Sequence, residues 1–138
     1  MSSLILLVED DPGFTIVLRR LRENVDGAFC GTAELQIVGT LEQAKHVVMT
    51  RDVSLVILDL TLPDSRQIDT ICFIEEHRHI WPPIIAVTGD ERIEVRRDCL
   101  FAGASGFVLK QHIVESPNFF FATVLNSYLK HIRNRHEG

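Results

Sequence analysis

The sequence predicts an α/β fold built around a parallel β-sheet, and two observations support this prediction. Four short apolar runs each end on a polar, chemically reactive side chain: Leu4–Val8 precede Glu9 and Asp10, Val56–Leu58 precede Asp59, Ile84–Val87 precede Thr88, and Phe107–Leu109 precede Lys110. Strands of parallel sheets are buried on both faces and have this nearly continuous apolar character. Strand and helix patterns also alternate along the chain without a repeat or a Pro/Gly/Ser-rich linker. This alternation is typical of βαβ units.

Length and composition indicate a single globular domain that covers residues 1–138. A chain with 46% hydrophobic and 24% charged residues can bury a substantial core. No apolar stretch approaches the roughly 20 residues that span a bilayer, and the N-terminus has no recognisable signal peptide. We therefore expect a cytoplasmic protein that does not enter a membrane, in which Glu137-Gly138 could be a remnant of cloning.

Charge and cysteine content exclude several other classes of function. The formal net charge is −5, which argues against direct nucleic acid binding by this domain. Cys30, Cys72 and Cys99 are odd in number and widely spaced. We expect reduced, buried thiols here and neither disulfides nor zinc ligands.

The first half of the chain is predicted to form two strands and two helices. Asp11 can cap a first helix with Pro12 at its first position. Apolar residues then recur at helical spacing, at Phe14, Val17, Leu18 and Leu21. A loop over residues 24–33 contains Gly27 and Gly31 and leads to a second strand around Leu35–Val38. A second helix is predicted over Leu41–Met49.

The second half repeats the strand and helix alternation. The third strand ends at Asp59, and the turn Thr61–Ser65 leads to a helix that carries Ile68, Ile71, Cys72 and Phe73. Trp81-Pro82-Pro83 stop that helix. The fourth strand ends at Thr88, a polar helix runs from about Asp90 to Phe101, and Gly103 and Gly106 flank the entry to the fifth strand. Ser116-Pro117 open the last helix, whose apolar stripe is predicted to face the sheet and comprises Phe120, Phe121, Val124, Leu125, Tyr128, Leu129 and Ile132.

Polar side chains at the strand ends define a candidate site. The carboxyl ends of parallel strands meet at one edge of the sheet, which would bring together Glu9, Asp10, Asp59, Thr88 and Lys110. Three carboxylates in one crevice repel one another unless a proton or a hard cation lies among them. An ammonium and a hydroxyl nearby suit a tetrahedral anion. The pattern therefore predicts a site for Mg²⁺ and a phosphoryl group.

These residues resemble the receiver domain of two-component response regulators over nearly the whole chain. The similarity consists of Glu9-Asp10 after the first strand, Asp59 followed by Leu62-Pro63, Thr88 after the fourth strand, and Phe107 with Lys110 at the fifth. The resemblance implies a flavodoxin-like three-layer α/β/α sandwich. It would contain a five-stranded parallel sheet in the order 2-1-3-4-5 and five helices.

The resemblance also implies the chemistry of the site. Asp59 would accept a phosphoryl group from the phosphohistidine of a sensor histidine kinase or phosphotransfer protein. Asp10, Asp59 and the backbone carbonyl of Thr61 would hold Mg²⁺, and Glu9 would act through a metal-bound water. Such a protein is a signalling phospho-acceptor that catalyses only its own phosphorylation and dephosphorylation.

The remaining residues of the motif would sense the phosphoryl group. By the same resemblance, Thr88 hydrogen-bonds the phosphoryl oxygens, Lys110 pairs with them, and Thr88 and Phe107 form the switch. Phe107 could equally be a plain core residue. The family also implies a possible homodimer through the fourth helix, fifth strand and fifth helix, although scattered surface charge beside a wide core face would give the same pattern.

Two positions depart from the family pattern, and the first stands out. The glycine usual in the loop after the phospho-acceptor strand is replaced by Gln67, so the geometry of that loop is open. Gly89 takes the place of the more usual alanine and keeps the residue after Thr88 small.

Two alternative functions fit parts of the pattern. A phosphohydrolase of the haloacid-dehalogenase type also uses an aspartyl phosphate, but it needs a second aspartate where Thr61 stands. A flavin or nucleotide binder would need a Gly-rich or Ser/Thr-rich phosphate loop after the first strand, where the chain has Glu9, Asp10 and Asp11 instead. Asp11 is better explained as a helix cap than as a ligand.

Overall fold

A computed structural model describes residues 3–14, 33–116, 119–120, 122–124, 126–127 and 130 of the chain. Five strands form one sheet in the order β2-β1-β3-β4-β5, and every pair of neighbours is parallel. The strands are β1 (Ser3–Val8), β2 (Ala33–Val38), β3 (Val53–Asp59), β4 (Ile84–Thr88) and β5 (Gly106–Leu109). The predicted α/β fold and strand order are confirmed.

Helices cover both faces of this sheet. They are α1 (residues 12–14), α2 (Leu41–Thr50), α3 (Gln67–His77), α4 (Ile93–Ala102), α5 (Lys110–Glu115) and α6 (helical at residues 119–120, 122–124, 126–127 and 130). The short helix α5 was not predicted, because six residues are too few to show a helical period. None of the helices in the described part of the chain is long and apolar enough to cross a membrane.

Side-chain caps explain where two helices begin. Asp11 Oδ1 accepts the N–H of Gly13 at 2.9 Å, as predicted for the cap of α1. Asp64 Oδ1 and Oδ2 accept the N–H groups of Leu41 and Glu42 at 2.9 and 3.0 Å, which ties the loop after β3 to the start of α2. These bonds hold the pKa of Asp64 below its usual value, although burial acts in the opposite direction.

Helix α4 begins three residues later than predicted, at Ile93 instead of Asp90. Asp90 Oδ1 accepts the N–H of Arg92 at 3.0 Å, and this local turn occupies the residues before the helix. The helix ends at Ala102 and is capped by Gly103, whose φ of 110° is accessible to glycine at little cost.

The pleat of the strands divides the core into two clusters. Leu6, Leu58 and Ala86 face α2, α3 and α4. Ile57 and Val87 point to the opposite face, where Phe14, Ile113, Phe120 and Val124 cover the sheet. Side chains that alternate along one strand therefore reach different helical layers.

The predictions of burial are confirmed for some residues and wrong for another. Phe120 and Val124 are buried as expected, and so is Cys99. Cys72 is exposed, which corrects the prediction of a buried thiol, because α3 turns Thr70, Phe73 and Ile74 toward the core. Other predicted residues lie outside the described part of the chain, namely Val17, Leu18, Leu21, Gly27, Cys30, Gly31, Phe121, Leu125, Tyr128, Leu129 and Ile132.

Candidate functional site

The register of the sheet brings the predicted residues to one edge. Val8 is paired with Leu58, and Asp59 is paired with Val87. Glu9 therefore follows β1 at the level where Asp59 ends β3. Thr88 is paired with Leu109, so Lys110 comes directly after the last paired position of β5.

Three of the predicted carboxylates form a cluster. Glu9, Asp10 and Asp59 each place one oxygen within 4.8 Å of the others. Glu9 and Asp59 are each only 3% exposed, whereas Asp10 lies at the surface. The cluster is therefore a shallow acidic crevice with two buried members and one solvent-facing member.

Lys110 offsets part of the negative charge of the two buried carboxylates. Its Nζ lies 2.9 Å from Asp59 Oδ2 and 3.0 Å from Glu9 Oε2. Two backbone groups contribute further hydrogen bonds: the N–H of Asp11 donates to Glu9 Oε1 at 3.0 Å, and the N–H of Thr61 donates to Asp59 Oδ1 at 3.1 Å. Each buried carboxylate is thus held by one ammonium and one backbone donor.

The proximity of these charges changes their proton affinities. Burial, followed by the hydrogen bond and the negative charge of Asp59, raises the pKa of Glu9 to about 7. Burial alone would lower the pKa of Lys110, but the hydrogen bonds to Asp59 and Glu9 outweigh it and raise that pKa. Lys110 therefore stays charged at neutral pH, whereas Glu9 is close to its titration point.

Phe14 is a part of the site that the sequence predicted only as an apolar position of the first helix. The Lys110 Nζ lies 4.9 Å from the centre of the Phe14 ring, within the range of a cation–π interaction. Phe14 is buried in the second core cluster. Its ring therefore limits where the ammonium can move.

Thr88 lies at the same edge but belongs to the other face of the sheet. It alternates with Val87, so it shares the orientation of Ala86 toward α3 and α4. Its hydroxyl donates to Gln67 Oε1 at 3.3 Å and accepts the N–H of Asp90 at 3.1 Å. Phe107 is half-buried and packs against the same cluster. The two predicted switch residues therefore share the layer that contains α4.

Gln67 was noticed in the sequence only as a departure from the family pattern. In the structure its Nε2 donates to Asp90 Oδ2 at 3.1 Å, while its Oε1 accepts from Thr88. One feature of the sequence could have identified Gln67. It replaces the usual glycine, which has no side chain, with a residue that carries both a hydrogen-bond donor and an acceptor. Its partners lie 21 and 23 residues away, so the pairing itself was not visible in the sequence.

The donor set of the acidic cluster fits Mg²⁺. Carboxylate oxygens are the hard ligands that this ion prefers, and the ion usually keeps several waters, so a site with few protein ligands suffices. The exposed side of the crevice at Asp10 leaves room for those waters. Thr61 is exposed beside Asp59, and the role of its carbonyl stays a prediction.

The fold and this acidic edge define a class of signalling domain, and a family comparison identifies it. A model of the response regulator receiver domain matches residues 5–116. Because these residues make up most of the chain, the protein belongs to the response regulator receiver family. The haloacid-dehalogenase alternative is not supported.

Solved receiver domains share the fold of this chain. The receiver domain of the Francisella response regulator 1452 has 15% identity and a TM-score of 0.75, covering 94% of this chain and 98% of that chain. The beryllofluoride-activated receiver domain of Klebsiella pneumoniae RstA has 24% identity and a TM-score of 0.71, with coverages of 92% and 98%. The beryllofluoride-activated NtrC4 receiver domain dimer has 22% identity and a TM-score of 0.73, with coverages of 93% and 98%. A comparison with curated proteins found no match.

Proposed function

We propose that this receiver domain accepts a phosphoryl group on Asp59 from the phosphohistidine of a sensor histidine kinase or phosphotransfer protein, in a Mg²⁺-dependent reaction. One observation carries the proposal. Asp59 is a buried carboxylate at the carboxyl end of the central strand, 2.9 Å from the Lys110 ammonium and within 4.8 Å of two further carboxylates. That arrangement combines a nucleophile with the counter-charge that phosphoryl transfer requires.

The transfer balances with groups that the donor and the domain supply. An Asp59 carboxylate oxygen attacks the phosphorus, and a new P–O bond forms. The P–N bond of the phosphohistidine breaks, its electron pair stays on the imidazole nitrogen, and the ring takes up a proton from water. Enzymatic phosphoryl transfer has a loose transition state in most analyses, so alignment and neutralisation of charge provide most of the catalysis.

Lys110 has two tasks in this reaction. In the structure its ammonium bridges the carboxylates of Asp59 and Glu9 and so reduces the repulsion between them. In the phosphorylated domain the same ammonium would turn to the phosphoryl oxygens, a charge-assisted contact of the strong kind. The Phe14 ring, whose centre lies 4.9 Å from Nζ, adds a cation–π contact to the ammonium in its present position.

The acidic cluster would hold the metal through Asp10, Asp59 and the Thr61 carbonyl, with Glu9 behind them. When bound, Mg²⁺ supplies positive charge next to the transferred phosphoryl group. The side chains of Glu9 and Asp10 provide the negative charge that retains the cation. Ion binding also favours the ionised form of Glu9, whose pKa is raised to about 7 in the structure.

We further propose that the phosphoryl group is sensed through Thr88 and Phe107. Both side chains contact the layer of α4, whose surface carries the exposed apolar residues Ile93 and Phe101 beside Arg96 and Arg97. Displacement of Thr88 toward Asp59 would leave space that Phe107 can fill, which changes this surface. A homodimer through α4, β5 and α6 could form on this changed surface, and the similarity in fold to the NtrC4 receiver dimer supports that proposal.

Labelling with a small phosphodonor tests the proposal. Acetyl phosphate with Mg²⁺ should add one base-labile, hydroxylamine-sensitive phosphoryl group to the wild type, detected by intact mass. Asp59→Asn should abolish the label. Asp69→Asn changes an exposed aspartate of α3 that pairs with Arg66, and it should leave the label unchanged. Labelling of Asp59→Asn at the wild-type level would contradict the assignment.

A further inference from the structure

Gln67 connects the predicted switch residue to the start of α4. Its amide accepts the Thr88 hydroxyl proton at 3.3 Å on one side and donates to Asp90 Oδ2 at 3.1 Å on the other. The side chain is half-buried, while Thr88 is 3% exposed. The bridge therefore joins the start of α3 to the end of β4 and to the loop that follows β4.

The orientation of the Gln67 amide follows from the chemistry of its neighbours. The carboxylate of Asp90 is held by Arg92, with 2.7 Å between Asp90 Oδ2 and Arg92 Nη2, and this pairing lowers the pKa of Asp90. An ionised carboxylate only accepts hydrogen bonds, so the Gln67 –NH₂ faces Asp90. The carbonyl oxygen of the same amide must then face Thr88, which has to donate to it.

This orientation commits the only hydroxyl proton of Thr88. The Thr88 oxygen already accepts the Asp90 N–H at 3.1 Å, and its proton points to Gln67 Oε1. A phosphoryl group on Asp59 needs that same proton, because phosphoryl oxygens are acceptors. The two acceptors, Gln67 and the phosphoryl group, therefore compete for one donor.

We propose that Gln67 is a positioning residue that holds the Thr88 hydroxyl on the α3 side of the sheet and thereby opposes the phosphorylated conformation. This inference rests on the proposed function of Asp59. Glycine, the usual family residue here, offers no side-chain acceptor, so the competition is a property of this chain's own residue. Thr88 must give up its hydrogen bond to Gln67 before it can donate to the phosphoryl group. This loss should weaken the response to phosphorylation by about two- to tenfold relative to a chain without the Gln67 side chain.

Binding of beryllofluoride with Mg²⁺ to the full chain, measured by calorimetric titration, tests this inference. Gln67→Ala and Gln67→Leu should each tighten binding by about two- to tenfold, and Leu keeps the volume of the glutamine. Gln36→Ala is the matched control, because Gln36 lies on the edge strand β2 and its Oε1 accepts from Arg51 Nη1 at 2.7 Å, outside this network and away from the acidic cluster. That variant should bind as the wild type does.

A double-mutant cycle separates competition for the hydroxyl from a general effect on the loop. Removal of the Gln67 side chain should tighten binding in a Thr88→Ser background, which keeps the hydroxyl, and should have no effect in a Thr88→Ala background. Unchanged or weaker binding in both Gln67 variants, or an equal gain without the Thr88 hydroxyl, would overturn the inference alone. Wild-type binding that is absent, or that persists in Asp59→Asn, would overturn the proposed function and this inference with it.

Discussion

The acidic cluster and the Thr88 network lie at the same edge of the sheet but are built in different ways. In the cluster, Glu9, Asp59 and Lys110 are charged and project from positions directly after or at the ends of strands. In the network, Gln67 begins α3, Thr88 ends β4 and Asp90 lies in the loop before α4, and the neutral Gln67 amide joins the other two by hydrogen bonds. The comparison indicates that the binding chemistry follows the strands, whereas its coupling to α4 depends on loop contacts.

The two regions should also differ in what a substitution costs. A buried charge that loses its partner keeps its desolvation penalty, so one change in the cluster is expensive. The exposed hydrogen bonds between Arg92 and Asp90, at the outer side of the network, are replaced by water at little cost. Four predictions use this contrast, from the largest expected effect to the smallest.

Removal of the Lys110 ammonium should have the largest effect on stability. Lys110→Ala leaves Glu9 and Asp59 buried without their cation, and we expect a loss of about 3 kcal/mol in the free energy of unfolding at pH 8. Urea denaturation without Mg²⁺ measures it. Lys45→Ala, which breaks the exposed pair with Glu42, should cost far less, and adding Glu9→Gln to Lys110→Ala should restore part of the loss. Equal effects of the two lysine changes would contradict the charged-cluster description.

The raised pKa of Glu9 predicts a pH dependence of folding without Mg²⁺. The pKa of Glu9 is about 7 in the folded state and near 4.5 in the unfolded state. The folded state therefore binds the Glu9 proton more tightly. Protonation of Glu9 therefore stabilises the fold fully below about pH 4.5, and this contribution is lost as the pH rises to about 7 and above. It amounts to roughly 1–3 kcal/mol. Denaturation of the wild type and Glu9→Gln at pH 5 and 8 should show a larger decrease in stability for the wild type. A parallel decrease in both proteins would be evidence against the shift.

Addition of Mg²⁺ should stabilise the fold through the carboxylates. A ligand that binds only the folded state at 10 to 100 times its Kd adds about 1.4–2.7 kcal/mol. The thermal midpoint should rise with Mg²⁺ in the wild type and hardly at all in Asp10→Ala. Asp11→Ala removes the cap on Gly13 and should lower the midpoint by itself, yet the increase caused by Mg²⁺ should persist. Loss of the increase in both variants would mean that the ligand set is wrong.

Removal of the Arg92 side chain should have the smallest effect on stability. The Arg92 side chain is 68% exposed, so Arg92→Ala should leave the unfolding midpoint unchanged within error. The network should still respond, because Asp90 loses the partner that orders it. Amide NMR should show shifts of the Gln67 side-chain –NH₂ signals in Arg92→Ala and none in Arg97→Ala, whose arginine pairs with Asp98. Unmoved Gln67 signals would separate Arg92 from the network.

Sequence patterns predicted the strands and their polar ends well, because both depend on local features. The apolar runs before Asp59 and Thr88 are strands that end at these residues in the structure, and parallel pairing then requires their ends to meet. The α5 segment and the start of α4 were missed, since six residues show no period and the Asp90 turn replaces the first helical residues. The burial of Cys72 was predicted wrongly because rotation of α3 about its axis is set by packing.

The sequence by itself determined the family, the sheet order that the family implies, and the set of charged residues at one edge. These depend on strand periodicity and on residue types that stay next to their strands in the chain. Only the tertiary structure decided which face each side chain joins, that Phe14 lies beside the Lys110 ammonium, and that Gln67 bridges Thr88 and Asp90. The physical reason is that such contacts link residues more than 20 positions apart, and no local pattern records which distant donor will meet which acceptor once the layers have packed.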